Sequence, residues 1–128
     1  MAKNTSPVRA EGKEYTIVAG SFCPDSGNNP TTTTGTGFTV VWTSTGLFTI
    51  TFTEAYPSIA AAHAHLQLAS GDDKFAQLGT FTAATATAAA TCTVRIWDVS
   101  AAPVADVTAN ANNIVHFFFV FRRSGVTT

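Results

Sequence analysis

The sequence predicts an all-β protein: an antiparallel β-sandwich, jelly-roll-like, with an extended N-terminal arm. Three observations lead to this fold class. Apolar residues recur at every second position in several short segments, Thr fills many of the positions between them, and no segment forms a secure amphipathic helix. The predicted organisation is an arm over residues 1–12 and a single domain over residues 13–128, because 128 residues are too few for two ordinary domains.

Before the first hairpin, the sequence predicts an N-terminal arm and a separate long loop. Residues Ala2–Arg9 include Pro7 and several polar side chains but no periodic apolar face. We therefore expect them to dock on a neighbouring subunit, so that their deletion weakens attachment while sparing the fold. The stretch Ser21–Thr36 contains Pro24, Pro30, several glycines and a run of four Thr, which predicts a long loop.

The clearest strands form a β-hairpin between Gly37 and Thr53. Apolar residues alternate on both sides of a short turn at Ser44–Gly46, and Thr occupies much of the other face. The apolar side chains that share one face are Phe38, Val40 and Trp42, then Phe48, Ile50 and Phe52. One face of this hairpin is therefore expected to meet a core.

Four further strands are predicted, over Ser58–Ala69, Phe75–Phe81, Thr91–Asp98 and Ile114–Phe121. The Ala run in the first of them favours helix by propensity, but Leu66 and Leu68 alternate with polar residues as in a strand. The Ala/Thr tract at residues 82–90 is predicted to be a loop or bulge whose Ala side chains allow another layer to approach closely. A turn at Gly71–Lys74 and a loop at Ser100–Asn113 complete the chain path.

The last predicted strand indicates self-association. Residues Ile114–Phe121 are apolar on both faces apart from His116. In a small antiparallel protein the opposite sheet covers one face, so covering the other requires a second subunit. We expect a stable homo-oligomer, and we interpret His116 as a buried, hydrogen-bonded imidazole rather than a catalytic base.

Charge limits the expected partners. Charged residues make up 12% of the chain, and the formal net charge is -1 at pH 7. The seven Lys and Arg residues are scattered, so we expect neither nucleic-acid nor membrane binding, and we interpret Arg122 and Arg123 as a solvated strand end. The N-terminus lacks the apolar segment of a secretory signal, which predicts synthesis in a reducing cytoplasm with Cys23 and Cys92 as thiols rather than a disulfide.

His63 and His65 are the sharpest candidates for a metal site. Residues i and i+2 of a strand point to the same side, so the two imidazoles can share one ion. A metal needs three or four ligands, however, and Gln67 is a poor third. We therefore expect no bound metal. The alternative is a threefold axis, which would bring three such pairs together.

No arrangement of residues indicates catalysis. Asp72 and Asp73 are adjacent, whereas an acid and a base flank their substrate from separate positions, so we interpret the pair as part of a turn. The sequence lacks a nucleophile motif and a phosphate-binding loop. Trp42 lies on the apolar face of the hairpin and is interpreted as core, while Trp97 stays undecided between core and a sugar platform. We expect no enzymatic activity, no catalytic residues and no cofactor.

Three segments resemble small virion structural proteins of tailed bacteriophages. They are Gly37–Pro57 with GFTVVWTSTGLFTITFTEAYP, His65–Ala69 with HLQLA, and Phe119–Ser124 with FVFRRS. The resemblance covers about half of the chain and carries no active site. It implies a capsid decoration or cement protein, made in the host bacterial cytoplasm, that sits on the capsid surface of the virion as a trimer in contact with the major capsid protein.

An alternative from another class is a tail- or fibre-associated module that binds a receptor or carbohydrate. Jelly-roll sandwiches also carry lectin sites, and the side chains that could line one here are Trp97, Asp98, Asp72 and Asp73. The Ala/Thr tract at residues 82–91 and the Arg122–Arg123 pair have no counterpart in the resemblance, so placement on the capsid or on the tail stays open. A small hydrolase is the weakest hypothesis, since no arrangement of catalytic residues in the sequence supports it.

Overall fold

The computed structural model describes residues 15–70, 73–98, 107 and 111–122. These residues form eight strands: β1 (Tyr15–Phe22), β2 (Thr33–Gly35), β3 (Phe38–Ser44), β4 (Leu47–Phe52), β5 (Ser58–Gln67), β6 (Lys74–Thr82), β7 (Thr91–Asp98) and β8 (Ile114–Arg122). Within the described residues, no helix has the length and apolar character needed to span a membrane.

The strands form two four-stranded antiparallel sheets. Sheet I has the order β2-β1-β8-β5, and sheet II has the order β3-β4-β7-β6. Every pair of neighbouring strands is antiparallel. The prediction of an all-β antiparallel sandwich is confirmed. The jelly-roll type stays a prediction, because other two-sheet sandwiches share these features.

Aromatic side chains from both sheets form the core between them. Phe119 of sheet I packs edge-on against Phe52 of sheet II, with ring centroids 5.0 Å apart. Phe22 and Phe48 make a second contact across the interior, at 5.2 Å. Each large side chain moved from water into such a core contributes about 1.5–3 kcal/mol to folding, so these inter-sheet contacts determine how the two sheets pack.

The β3–β4 hairpin forms as the alternation predicts. Phe48, Ile50 and Phe52 are buried, and Trp42 packs partly buried against the same core. The chain reverses at Gly46, where φ is 66°, a conformation that glycine adopts without a steric penalty. The interpretation of Trp42 as core is confirmed.

The predicted loop over Ser21–Thr36 contains the end of β1 and the whole of β2. β1 pairs with β8 along its whole length, and β2 pairs with β1 at the edge of sheet I. The prediction of a loop over Ser21–Thr36 is therefore wrong near both ends, because Ser21 belongs to β1 and Thr33–Gly35 is a strand. An edge strand pairs with a single neighbour, and both of its faces can be exposed. A run of Thr can therefore form such a strand without alternating apolar residues.

The Ala/Thr tract leads into β7, which begins at Thr91 as predicted. The expectation that its Ala side chains lie against another layer is wrong for Ala86 and Ala88, which are exposed, whereas Ala90 is buried. The hydroxyl of Thr85 accepts hydrogen bonds from the backbone N–H groups of Thr87 and Ala88, at 3.3 and 3.1 Å. Such local bonds offer the backbone an alternative to a strand ladder, which explains the turn.

Some predictions fall outside the described residues. These are the arm over residues 1–12 with its docking segment Ala2–Arg9, the side chains of Asp72 and Arg123, and most of the loop Ser100–Asn113. Two described residues of that loop contact the domain: Val107 is buried, and Asn113 accepts a hydrogen bond from the backbone N–H of Ala69 at 2.8 Å.

Candidate assembly surface

The outer face of sheet I, the side that points away from the core, carries the features that bear on function. Strand alternation and register determine its membership. The residues include Thr34 of β2, Tyr15, Ile17, Ala19 and Ser21 of β1, Ile114, His116, Phe118, Val120 and Arg122 of β8, and Ser58, Ala61, His63, His65 and Gln67 of β5.

One half of this face is apolar. Ile17 is 68% exposed and lies directly opposite Val120, and Phe118 is 42% exposed. Together with Tyr15, these residues are three of the five large hydrophobic side chains exposed in the described chain. Grouped apolar side chains on a surface mark interaction sites more often than scattered ones do. The two apolar faces predicted for the last strand are present, and the described residues leave its second face uncovered.

The other half carries three histidines, which we call the histidine trio: His63, His65 and His116. The predicted common face of His63 and His65 is confirmed, with ring centroids 6.3 Å apart. His116 lies directly opposite His65 across the β5–β8 pair. The sequence did not reveal this third member, because nothing in the pattern of either strand specifies the register between them.

The expected burial of His116 is wrong. Val115 and Phe117 point into the core, so the alternation of β8 places His116 on the outer face, where it is exposed. The expected hydrogen bond is present, since Nε2 of His116 donates to Oε1 of Gln67 at 2.8 Å. His63 stacks on Phe118 with a centroid separation of 6.0 Å, so the trio is continuous with the apolar half.

The outer face of sheet I is almost without fixed charge. Its one permanently charged side chain in the described strands is Arg122, at the end of β8, whose guanidinium lies 5.9 Å from the ring centroid of Tyr15. The four strands of the sheet contain no Asp or Glu. One cation is too few to bind a polyanion such as a nucleic acid. The composition of this face instead favours contact with a neutral, partly apolar surface.

The described residues of one chain supply too few ligands for a metal ion. In the described part of the chain, no group of three or more His, Cys, Asp or Glu residues could hold an ion. Gln67, the weak third ligand considered from the sequence, is engaged with His116. The absence of a resident metal stays a prediction.

The outer face of sheet II carries a smaller aromatic patch. Phe75 is 45% exposed and lies opposite Trp97, over which the Arg95 guanidinium sits 5.7 Å from the ring centroid. The indole N–H of Trp97 is buried without a hydrogen-bond partner. Trp42 points to the opposite face of the same sheet, so the two tryptophans do not form one platform. Of the acidic residues considered for a sugar site, Asp98 lies 3.8 Å from Lys74.

Both cysteines are free thiols in the structure. Cys92 is 1% exposed, and Cys23 is partly buried. Burial disfavours the thiolate and raises the pKa of Cys92 from 9.0 to about 11. Cys92 is therefore a packing residue rather than a nucleophile.

Comparison of the chain with protein-family models, with curated proteins and with solved structures gave no match.

Proposed function

We propose that this chain is a structural protein of a tailed-bacteriophage virion, a homo-oligomeric decoration or cement protein that binds the major capsid protein on the outside of the head. The observation that carries the proposal is the uncovered apolar half of the outer face of sheet I, with Ile17 68% and Phe118 42% exposed. The phage context and the trimeric state come from the resemblance of the three segments.

Burial of this half supplies the driving force for association. Removing apolar surface from water contributes about 25 cal/mol per Å², and a fully buried Ile or Phe contributes about 1.5–3 kcal/mol. Each copy in an oligomer buries its own Ile17 and Phe118, so the gain is repeated in every subunit. The cost of ordering the subunits opposes this gain and makes assembly depend on concentration.

The outer face of sheet II gives each subunit a second, chemically different surface. Four Thr residues lie in one row across its four strands: Thr39, Thr51, Thr91 and Thr82. Such a neutral, hydroxyl-bearing row can stay in water or contact a shell without strong charge complementarity. A subunit with one face for its own copies and another for a lattice suits a protein that adds contacts to a capsid.

The test is binding to heads of the encoding phage that were assembled without this protein. Wild-type chain is expected to co-sediment with the heads and to raise the temperature at which they release DNA. Phe118→Glu places a charge in the apolar half and is expected to reduce both effects. Val41→Glu places the same charge on the outer face of sheet II, where Val41 is 41% exposed, and is expected to weaken binding to the heads while leaving the oligomer intact. Failure of the wild-type chain to bind heads contradicts the capsid assignment.

The aromatic patch of sheet II favours a second candidate function, carbohydrate binding on a tail or fibre. Phe75 and Trp97 are adjacent across β6 and β7, and aromatic faces of this kind stack on sugar rings. In this case wild-type chain binds host-surface glycans and Phe75→Ala abolishes the binding. Equal glycan binding by wild type and Phe75→Ala would remove this candidate.

A further inference from the structure

The histidine trio lies beside the apolar half of the outer face of sheet I. The proposed assembly of several chains buries this apolar half. We infer that this face contacts further copies of the same chain and that protonation of the trio in acid separates them. The inference rests on the proposed oligomer and adds that the interface between its copies extends over the histidine trio and responds to pH.

Charge indicates a second copy as the occupant of this face. A surface that meets its own copy must not carry a large charge of one sign, because like charges would then oppose each other across the contact. Among the described residues on the outer face of sheet I the one fixed charge is Arg122, and it lies in the end row beside Tyr15. With neutral imidazoles, the centre of the face is therefore compatible with itself. A strongly charged partner would find no complementary group there.

The trio is the part of this face that responds to pH. Histidine is the side chain whose charge ordinarily changes between about pH 5 and 8. His65 and His116 are direct cross-strand partners, and the rings of His63 and His65 are 6.3 Å apart. Like charges directly opposite each other in a sheet are destabilising. In a separate chain water screens this repulsion, whereas in a closed interface the same charges lose that screening.

No carboxylate on the four strands is available to compensate. Within the described strands, the other titratable or charged groups on the outer face are Tyr15 and Arg122, at the far end of the sheet. Asp25 follows β1 in a loop, and Asp73 lies just before β6. His63 faces Phe118, and His116 faces Ser21 on one side and His65 on the other. The neutral trio is therefore compatible with the contact, and the charged trio is not.

The direction of the effect follows from proton binding. Separated chains accept protons on the trio more readily than assembled chains do, so lowering the pH favours separation. The hydrogen bond from Nε2 of His116 to Gln67 uses one ring nitrogen and leaves Nδ1 to receive the added proton. A one-unit difference in proton affinity for one histidine changes the association constant about tenfold. Because each chain carries three such histidines, the change from assembled to separate chains is expected to be steep with pH.

The experiment is sedimentation velocity of the full chain at about pH 8 and about pH 5.5, with circular dichroism to show that the fold persists at both. The expected result is an oligomer at the higher pH and at least about a tenfold larger dissociation constant at the lower one. The variant with His63→Gln, His65→Gln and His116→Gln is expected to remain assembled at both. If this triple variant does not assemble, the three single variants replace it, and each is expected to reduce the shift.

Three outcomes overturn the inference and separate it from the proposed function. An oligomer of unchanged stability at about pH 5.5 contradicts the acid response and leaves the oligomer itself intact. Dissociation of the triple variant in acid, to the same extent as wild type, locates the response elsewhere in the chain. A folded monomer at about pH 8 contradicts this inference and the oligomeric state in the proposed function together.

Discussion

Phe118 and Phe119 are neighbours in β8 but point to opposite faces of sheet I. Phe119 is fully buried and packs against Phe52 and Phe121, with ring centroids 5.0 and 5.5 Å away. Phe118 is 42% exposed and touches the ring of His63. Two identical side chains on consecutive residues therefore have different roles, one in folding and the other in the surface proposed for assembly.

Phe119→Ala is expected to lower the free energy of unfolding by about 3–5 kcal/mol, because it removes a buried ring and leaves a cavity that the surrounding rings fill incompletely. Val41→Ala, at an exposed position of sheet II, is the control and is expected to change it by less than about 0.5 kcal/mol. Urea denaturation followed by circular dichroism measures both. Similar losses for the two variants would show that the core is not centred on β8.

The two cysteines are expected to differ in reactivity. Burial raises the pKa of Cys92 to about 11, so the native protein at neutral pH should react with a thiol reagent at Cys23 and react at Cys92 only after unfolding. Because the folded state keeps the Cys92 proton more tightly, this group stabilises the fold below pH 9.0 and that contribution is lost as the pH rises toward about 11. Rapid labelling of Cys92 in folded Cys23→Ser would contradict this.

At the scale of the elements, close contact between the sheets depends on a glycine in β1. A Cβ at Gly20 would lie 2.5 Å from two ring carbons of Phe38 and 2.6 Å from the backbone oxygen of Thr34. Phe38 itself packs edge-on against Phe117 at 4.9 Å, so its ring has little room to move. The glycine therefore lets β2 and the start of the hairpin approach β1.

Gly20→Ala is expected to destabilise the fold by about 1–3 kcal/mol, since overpacking forces a shift of backbone or ring. Thr39→Ala, which changes an outward-facing neighbour of Phe38, serves as the matched control. Thermal melts of both variants at equal protein concentration provide the comparison. A melting temperature for Gly20→Ala equal to that of the wild type would contradict the close approach.

Alternation within a strand was readable from the sequence, but pairing between strands was not. Phe48, Ile50 and Phe52 predicted an inward face correctly, and Thr91 was the correct start of β7. Alternation does not show which strands become neighbours, so the position of His116 beside His63 and His65 was not predicted: His116 and its partner Gln67 are 49 residues apart. β2 was missed because an exposed edge strand has no apolar face to reveal it.

At the scale of the whole molecule, the two outer faces differ in chemistry. Sheet I presents apolar side chains and the histidine trio, whereas sheet II presents a row of Thr and a small aromatic patch. The core between them is apolar, and no polar or charged residue of the described chain is buried. The outer faces of sheet I and sheet II are therefore suited to different partners.

Chelation is expected to leave this molecule unchanged. Within the residues described, no set of three or more potential ligands could hold a metal ion, so EDTA should not alter the melting temperature, and elemental analysis should find no bound zinc or nickel. A lower melting temperature after EDTA, together with one metal per three chains, would instead support histidine pairs gathered on a threefold axis.

Sedimentation velocity of three proteins at neutral pH tests most directly whether the outer face of sheet I holds copies of the chain together. Wild type and Val41→Glu are expected to sediment as an oligomer, with three times the chain mass of 13.4 kDa if it is the proposed trimer. Phe118→Glu is expected to sediment as a folded monomer, although Phe118 and Val41 are almost equally exposed, at 42% and 41%. A wild-type monomer at micromolar concentration, or a Phe118→Glu oligomer as stable as the wild type, would contradict the account.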